Sequence, residues 1–433
     1  MNKKLLVLCV LLSGSLTITA QQRGNRDESL VPTYTLPEVL KMQNGKAITN
    51  VKQWENERRP ELLSLFAEHV YGKSRPDGKK LPYKITSVNK NALGGTATRK
   101  EVTLYLSEDR SKTLNILIYL PNNTGKKPVP MFMGLNFAGN QAIHPDTGIT
   151  ITKNWTRFEN QPGFVNGIAG EGSRGFYASR WAVELIISRG YGLATMYYGD
   201  LQADRKDIDS LPESFHAWYY KDKKIKAGDN PWGAIGIWAW GLSRALDYLE
   251  EDPDVDAKRV AVVGHSRLGK SALWAAAQDQ RFAMAISNNS GEGGAAITRR
   301  KFGETIKIIN TSFPHWFGAR FKEYADKEND LPVDFHEMMA LIAPRPLYVA
   351  SASEDLWADP KGEYLSAYHA GPVFQLYGLK TFTNPQPPAI EQPIQAGIIG
   401  YHIRKGKHDI TKYDWERYVD FADQQLKAVK PKK

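Results

Sequence analysis

The apolar positions of this chain alternate between short continuous runs and stretches with helical spacing. Within the segment after residue 230, Ile235, Trp238 and Leu242 recur at the spacing of an amphipathic helix. The runs EVTLYL, VPMFMGLNF and YGLATMYY, rich in β-branched and aromatic residues, predict strands bounded by turns. Alternation of such strands with helices is typical of a mostly parallel sheet covered on both faces, so the pattern predicts an α/β fold.

The second half of the chain continues this alternation. The runs RVAVVG, FAMAISNN, PLYVASAS and GIIGYHIR predict further strands, and a Thr411–Asp414 capping pattern opens a C-terminal helix. Two segments, about residues 141–180 and 200–231, are long, irregular and rich in Gly, Trp and charge. Long irregular segments in a compact domain usually build or cover a site, so we expect inserted loops near the active site.

The N-terminus predicts export. Lys3 and Lys4 precede an apolar stretch, Leu5–Leu12, and Ala20 offers a small residue for cleavage, so residues 1–20 have the form of a secretory signal. Cys9 lies inside the apolar stretch, which favours a cleaved signal over a lipid anchor. We therefore expect a signal peptide at 1–20, a polar disordered linker at 21–30 and one catalytic domain at 31–433, in the periplasm or outside the cell and not in the membrane.

Composition narrows the chemistry. Cys9 is the only cysteine, so the mature chain has no disulfide framework, thiolate metal site or cysteine nucleophile. The formal net charge of +10 is spread along the chain, apart from the short tail KAVKPKK. A basic exported protein could bind an acidic polysaccharide, whereas export argues against a nucleic acid partner.

The candidate nucleophile is Ser266. The predicted strand Val260–Val263 continues into Gly264-His265-Ser266-Arg267-Leu268-Gly269, and a predicted helix follows. This is a variant of the nucleophile elbow, in which a sharp turn raises the serine hydroxyl above the sheet of an α/β-hydrolase. The backbone N–H of Arg267 would then lie at a helix N-terminus, ready to stabilise an oxyanion. A tight turn without chemistry is the alternative; the strand–turn–helix order favours catalysis and an α/β-hydrolase three-layer sandwich.

The base and the acid should follow later strands, in the order Ser, acid, His. His408 lies in the loop KGKHD after the last predicted strand, whereas His402 lies inside that strand and should be packed there. A helix-capping role is the alternative for His408. PLYVASAS ends at Glu354 and Asp355, either of which could orient an imidazole, with position slightly favouring Asp355. A second oxyanion donor is expected from the loop Asn136–Gly139.

Several separated motifs carry a family resemblance. The elbow extends to GHSRLGK, and the chain also contains NNSGEGGAAITRRKFGET, FPHWF, ASEDLWADPKGEY and KGKHDITKYDWERYVDF. Together these motifs, over roughly residues 30–425, resemble bacterial members of carbohydrate esterase family 15, the glucuronoyl esterases. The resemblance implies an α/β-hydrolase fold, no metal or other cofactor, and cleavage of the ester between the 4-O-methyl-glucuronic acid of glucuronoxylan and lignin alcohols. We expect a monomer.

The resemblance also implies roles for single residues. Ser266 and His408 would be nucleophile and base, and the Arg267 guanidinium would join the oxyanion hole. Lys270 and Glu304 would hydrogen-bond the sugar hydroxyls, and Trp357 would pack on the uronate.

One position departs from the pattern of fungal members. Asn289 stands where those proteins carry a glutamate, so the acid role should fall on Asp355. Glu292 is a spare acid in the same loop and could pair instead with Arg267 or Arg299.

The rival functions are an acetyl-xylan esterase, a general carboxylesterase of the same fold and, more remotely, a peptidase or an inactive carbohydrate-binding relative. Lys270 and Glu304 favour the uronate ester, because a small acetyl group offers these side chains nothing to bind. The presence of both Ser266 and His408 argues against an inactive protein.

Overall fold

The computed structural model describes residues 24–73, 80–125, 127–208, 211, 214–219 and 230–427. The predicted signal peptide and the first three residues of the predicted linker lie outside these described residues.

The centre of the molecule is a nine-stranded sheet with the order β1-β2-β3-β7-β4-β8-β9-β10-β11. Its strands are β1 (Tyr83–Ala92), β2 (Ala97–Tyr105), β3 (Thr113–Pro121), β4 (Val129–Asn136), β7 (Gly192–Tyr197), β8 (Val255–His265), β9 (Met284–Asn288), β10 (Leu347–Ala352) and β11 (Ile399–Arg404). A separate two-stranded ladder joins β5 (Phe164–Val165) and β6 (Ile168–Ala169), within the predicted inserted loop.

The sheet is parallel from β7 to β11 and antiparallel at its other end. Strands β4 and β7 pair in parallel, as do β4 with β8, β8 with β9, β9 with β10 and β10 with β11. Strands β1, β2 and β3 form an antiparallel edge, and β3 joins β7 antiparallel. Every residue of β4, β7, β9 and β10 is buried, as expected for strands covered on both faces.

Helices cover the sheet on both sides. They are α1 (Val51–Gln53), α2 (Arg59–Phe66), α3 (Val183–Ser188), α4 (Phe215–Tyr219), α5 (Ala234–Leu249), α6 (Arg267–Gln278), α7 (Ile306–Ser312), α8 (Phe335–Ala340), α9 (Pro360–Leu376) and α10 (Lys412–Ala422). Residues of α5, α6, α8 and α9 share one apolar core, whereas α3 and α10 form the other. Met131 and Met133 of β4 face the first core, and Phe132 between them faces the second. The predicted three-layer sandwich is therefore confirmed.

The segment Gly24–Leu30, here called the N-terminal strap, differs from the predicted disordered linker. The Asn25 carbonyl accepts a hydrogen bond from the Gly303 backbone N–H at 2.6 Å. Glu28 forms ion pairs with Arg300 at 2.8 Å and with Lys361 at 2.6 Å. These long-range contacts offset the entropy of ordering a polar segment, and no local pattern in the sequence reveals them. The described part of the expected linker is thus part of the folded domain.

Candidate active site

The carboxyl ends of the parallel strands bring the predicted site residues to one edge of the sheet. Ser266 lies directly between the end of β8 and the start of α6, with φ 57° and ψ −131°. A Cβ atom on Gly264 would lie 2.0 Å from the Leu268 carbonyl oxygen, so only glycine allows the turn to close this tightly. The predicted strand–turn–helix geometry is present, and it holds a non-glycine residue in a strained conformation that is common at functional sites.

The two other proposed members of the triad meet after β10 and β11. His408 Nδ1 lies 2.6 Å from Asp355 Oδ2. Asp355 is buried, whereas 41% of the His408 side chain is exposed. The buried carboxylate therefore holds one side of the imidazole, and solvent reaches the other side. Glu354 is exposed, and its backbone N–H bonds the Gly406 carbonyl. Of the two acids left open by the sequence, the geometry favours Asp355.

His402 is packed in the core, as predicted from its place inside the last strand. Its Nε2 lies 2.8 Å from Asp414 Oδ1, and both side chains are fully buried. Asp414 also forms the capping box with Thr411 that opens α10. This histidine therefore supports the second core rather than the site.

Two adjacent asparagines, which the sequence did not single out as a pair, connect the site to β9. Asn289 Nδ2 donates to Asp355 Oδ2 at 2.8 Å. Asn288 Oδ1 accepts from His265 Nδ1 at 2.6 Å, which places the proton of the neutral His265 ring on Nδ1. The His265 ring lies against the His408 ring, and burial, with the nearby His408, holds the pKa of His265 well below its usual range. The imidazole of His408, the predicted base, thus packs against a second, neutral imidazole.

Arg267 is held by a buried aspartate. It pairs with Asp204, and its guanidinium carbon lies 4.7 Å from the centre of the Trp316 ring. Asp204 Oδ1 also accepts from His315 Nε2 at 2.8 Å and from Trp316 Nε1 at 2.7 Å. In the described part of the chain, Arg267 Nε is buried without a hydrogen-bond partner. Sequence reasoning missed Asp204, because nothing in its irregular segment marks it locally.

Lys270, Glu304 and Trp357 form a second group beside the elbow. Lys270 Nζ donates to the Ser290 carbonyl and, at 2.5 Å, to the Glu292 carbonyl. Burial lowers the pKa of Lys270, and Glu304 opposes that shift. Burial raises the pKa of Glu304 to about 7, although Lys270 and a hydrogen bond from the Trp357 side chain act in the other direction. The structure therefore brings together the three residues expected to contact the sugar.

Glu292 does not make either of its expected ion pairs. Its Oε1 accepts from Thr298 Oγ1 at 2.5 Å, and burial raises its pKa well above the usual range. Arg267 pairs with Asp204, and Arg299 lies 3.4 Å from Asp334. The prediction that Glu292 pairs with an arginine is wrong, because both guanidinium groups have other carboxylate partners and the Glu292 side chain is fully enclosed.

The described ranges contain neither a cluster of metal-ligating side chains nor a membrane-spanning helix. Among those residues, no group of three or more His, Cys, Asp or Glu side chains could hold a metal ion. No helix in the same ranges is both long enough and apolar enough to cross a membrane.

The sheet topology and the elbow define the class of the protein: an α/β-hydrolase with an esterase site. The family model described as "Glucuronyl esterase, fungi" matches residues 183–378. Carbohydrate esterase MZ0003, from an unknown prokaryotic organism, is 47% identical over 411 residues, which cover 94% of each chain.

Solved structures agree with these matches. The glucuronoyl esterase from Solibacter usitatus is 47% identical with a TM-score of 0.86, over 92% of this chain and 100% of that one. The family 15 glucuronoyl esterase from Teredinibacter turnerae T7901 is 34% identical with a TM-score of 0.77, over 93% and 92% of the two chains. The chain belongs to carbohydrate esterase family 15, the glucuronoyl esterases, and is a carboxylic ester hydrolase. The predicted family, fold and enzyme class are thereby confirmed.

Proposed function

We propose that this esterase cleaves the ester between the 4-O-methyl-glucuronic acid of glucuronoxylan and lignin alcohols, through an acyl-enzyme on Ser266. The observation that carries the proposal is the His408–Asp355 hydrogen bond of 2.6 Å at the edge where the elbow lies. The relatives from Solibacter usitatus and Teredinibacter turnerae are called glucuronoyl esterases, which supports the same substrate class.

The first half of the mechanism forms the acyl-enzyme. Ser266 Oγ attacks the ester carbonyl carbon, and His408 Nε2 takes the hydroxyl proton while Nδ1 stays bonded to Asp355. The negative charge that develops on the carbonyl oxygen is stabilised by the Arg267 backbone N–H at the start of α6 and by its guanidinium. A further donor comes from the loop Asn136–Gly139. The C–O bond then breaks, and His408 returns the proton to the departing alcohol.

The second half releases the acid. A water molecule attacks the acyl carbon and gives a proton to His408. The tetrahedral intermediate then collapses as the bond between the acyl carbon and Ser266 Oγ breaks. His408 returns the proton to Ser266 Oγ, and the glucuronic acid unit of the glucuronoxylan leaves with a free carboxyl group. Asp355 stabilises the imidazolium in both halves, because it lies buried behind the ring.

The second group of residues, Lys270, Glu304 and Trp357, would bind the sugar. Lys270 supplies positive charge beside the elbow, and Trp357 offers a flat apolar face to the uronate ring. The pKa of Glu304, about 7, lets it either donate or accept a hydrogen bond from a sugar hydroxyl near neutral pH.

We also propose that residues 1–20 direct export to the periplasm or the medium, and that residues 31–433 form one catalytic domain onto which the N-terminal strap is folded. The enzyme would act there as a monomer on a polysaccharide, with no cofactor and without binding nucleic acid.

Two assays test the function. We expect the enzyme to hydrolyse benzyl glucuronate faster than it removes acetyl groups from acetylated xylan; faster acetyl release would instead indicate an acetyl-xylan or general esterase. Ser266→Ala should abolish turnover of benzyl glucuronate. Ser271→Ala is the matched control, since this serine of α6 is buried and its hydroxyl donates to the Arg267 carbonyl. Turnover by Ser266→Ala would show that the nucleophile is elsewhere.

A further inference from the structure

The residue that follows β9 has an unusual set of contacts. Asn289 lies in the left-handed region with φ 47°, and its backbone N–H bonds the Ala350 carbonyl of β10 at 2.8 Å. Its side-chain N–H group donates to Asp355 Oδ2 at 2.8 Å, and His408 Nδ1 lies 2.6 Å from the same oxygen. One carboxylate oxygen therefore has two neighbours, one on each side.

We propose that Asn289 is a positioning residue that acts through Asp355 on His408; the inference rests on the proposed roles of those two residues. A carboxylate has two equivalent oxygens and can rotate between them. A second donor on Oδ2 restricts that rotation, so the oxygen that faces His408 Nδ1 keeps its direction. The orientation of the imidazole toward Ser266 then depends on the Asn289 amide.

At position 289 an amide can donate a hydrogen bond to Asp355, which an ionised carboxylate could not do. A second carboxylate within hydrogen-bond distance of Asp355 would repel it, and the pair would take up a proton. A neutral N–H donor instead leaves Asp355 as a single full charge behind the imidazole. Positions 289 and 355 therefore have complementary chemistry, with the donor on one strand end and the acid on the next.

The remaining atom of the amide supports this assignment. Within the described chain, Asn289 Oδ1 is buried and has no hydrogen-bond partner. Leaving a buried acceptor unpaired is unfavourable, and such groups in native structures call for an explanation. The Asn289 amide thus makes its hydrogen bond to Asp355 through Nδ2 while its Oδ1 stays without a partner.

Asparagine also tolerates positive φ better than most residues. The test must therefore distinguish the effect of the side-chain donor from the effect of the backbone conformation. Asn289→Gly accepts the same φ without a donor. Asn289→Asp keeps the size of the side chain and also tolerates this region, but it replaces the donor with an acid. Asn310→Ala is the matched control, because Asn310 is likewise buried with an unpartnered Oδ1 and lies in α7.

The experiment measures kcat and KM against pH with benzyl glucuronate and with 4-nitrophenyl acetate, alongside thermal unfolding. We expect Asn289→Gly to lower kcat by about tenfold with KM unchanged on both esters. Asn289→Asp should move the acid limb of the kcat/KM profile to higher pH by about one unit. Asn310→Ala should lower Tm and leave kcat and the profile unchanged.

The two esters separate this inference from the proposed substrate. If the wild type cleaves 4-nitrophenyl acetate and not benzyl glucuronate, the proposed substrate is wrong, and the acetate ester still decides the role of Asn289. Wild-type kcat in Asn289→Gly together with an unmoved limb in Asn289→Asp would overturn the inference. If one of the two Asn289 variants does not fold, the result of the other variant decides the inference. A wild-type enzyme that turns over neither ester would also overturn the inference.

Discussion

The rings of His265 and His408 lie 4.6 Å apart between their centroids, at an angle of 40°. Burial is the main reason that the pKa of His265 lies well below the usual histidine range, and the nearby His408 lowers it further. Two imidazoles in contact can avoid mutual repulsion if only one of them becomes charged. His265 fills the neutral position, since its Nδ1–H is committed to Asn288.

We therefore expect that His265 does not contribute to the pH dependence of catalysis. His265→Phe keeps an aromatic ring beside His408 and removes the second titrating group. Its acid limb in a kcat/KM profile should coincide with that of the wild type, while Tm falls because Asn288 Oδ1 loses its donor. A limb displaced by about one pH unit would mean that the two rings titrate together.

The choice of acid can be decided with two carboxamide variants. Asp355→Asn should lower kcat by about 10⁴-fold, because an amide behind the imidazole favours the wrong tautomer and stabilises no charge. Glu292→Gln should leave kcat within a few-fold of the wild type, since Glu292 bonds Thr298 and not His408. Initial rates on benzyl glucuronate measure both. A greater loss in Glu292→Gln would move the acid role to the loop after β9.

Asp204 should matter for the transition state through Arg267. Asp204→Asn removes the charge that holds the guanidinium against Trp316, so we expect kcat to fall by about 10- to 100-fold with a smaller change in KM. Asp252→Asn is the control, because Asp252 is equally buried and pairs with Lys100 at 2.8 Å away from the elbow. Asp252→Asn should lower the stability of the protein and leave kcat unchanged. Equal kcat values for the two variants would refute the role of Asp204.

Glu363 predicts a pH dependence of stability. Burial raises its pKa to about 8 from the ordinary 4.5, so the folded state holds a proton that the unfolded state releases between these values. The free energy of unfolding should therefore fall as pH rises from the unfolded pKa through the folded one. Glu363→Gln removes this contribution and should lose less stability than the wild type between about pH 5 and about pH 8. Urea denaturation at both pH values measures the difference; parallel curves would contradict it.

The strain at the elbow predicts that glycine at position 266 is more stable than alanine there. Ser266 has φ 57° and ψ −131°, a conformation that only glycine adopts at little cost. Ser266→Gly should be inactive and more stable than Ser266→Ala by about 1 kcal/mol. Thermal unfolding of the two inactive variants isolates the backbone term, and identical Tm values would show that the turn is not strained.

The sequence was sufficient for the features that depend on local order. Apolar runs with β-branched residues predicted the buried strands, since a strand covered on both faces must be apolar throughout. Gly264 and Ser266 predicted the elbow, because a tight turn between strand and helix requires a small residue there. His408 was proposed as the base from its position after the last strand, and in the structure its ring lies beside Asp355.

The features that the sequence missed depend on contacts between distant segments. Asp204 lies 63 positions before Arg267, and Asn289 lies 66 positions before Asp355. Asp204 has no local pattern that marks it, and Asn289 stood out only as a departure from the fungal pattern, because a buried polar pair is specified by the packing of two separate segments. The N-terminal strap was missed for the same reason: its polar composition is that of a linker, and its contacts are with distant residues such as Gly303, Arg300 and Lys361.

The N-terminal strap gives the substrate pocket a mechanical connection to the start of the domain. Asn25 binds Gly303, the residue directly before Glu304, and the Arg26 guanidinium carbon lies 5.8 Å from the centre of the Trp357 ring. A load applied upstream of Gly24, from a carrier domain, a tag or a solid support, would reach the residues proposed to contact the sugar. We therefore expect the point of attachment to alter the affinity for substrate.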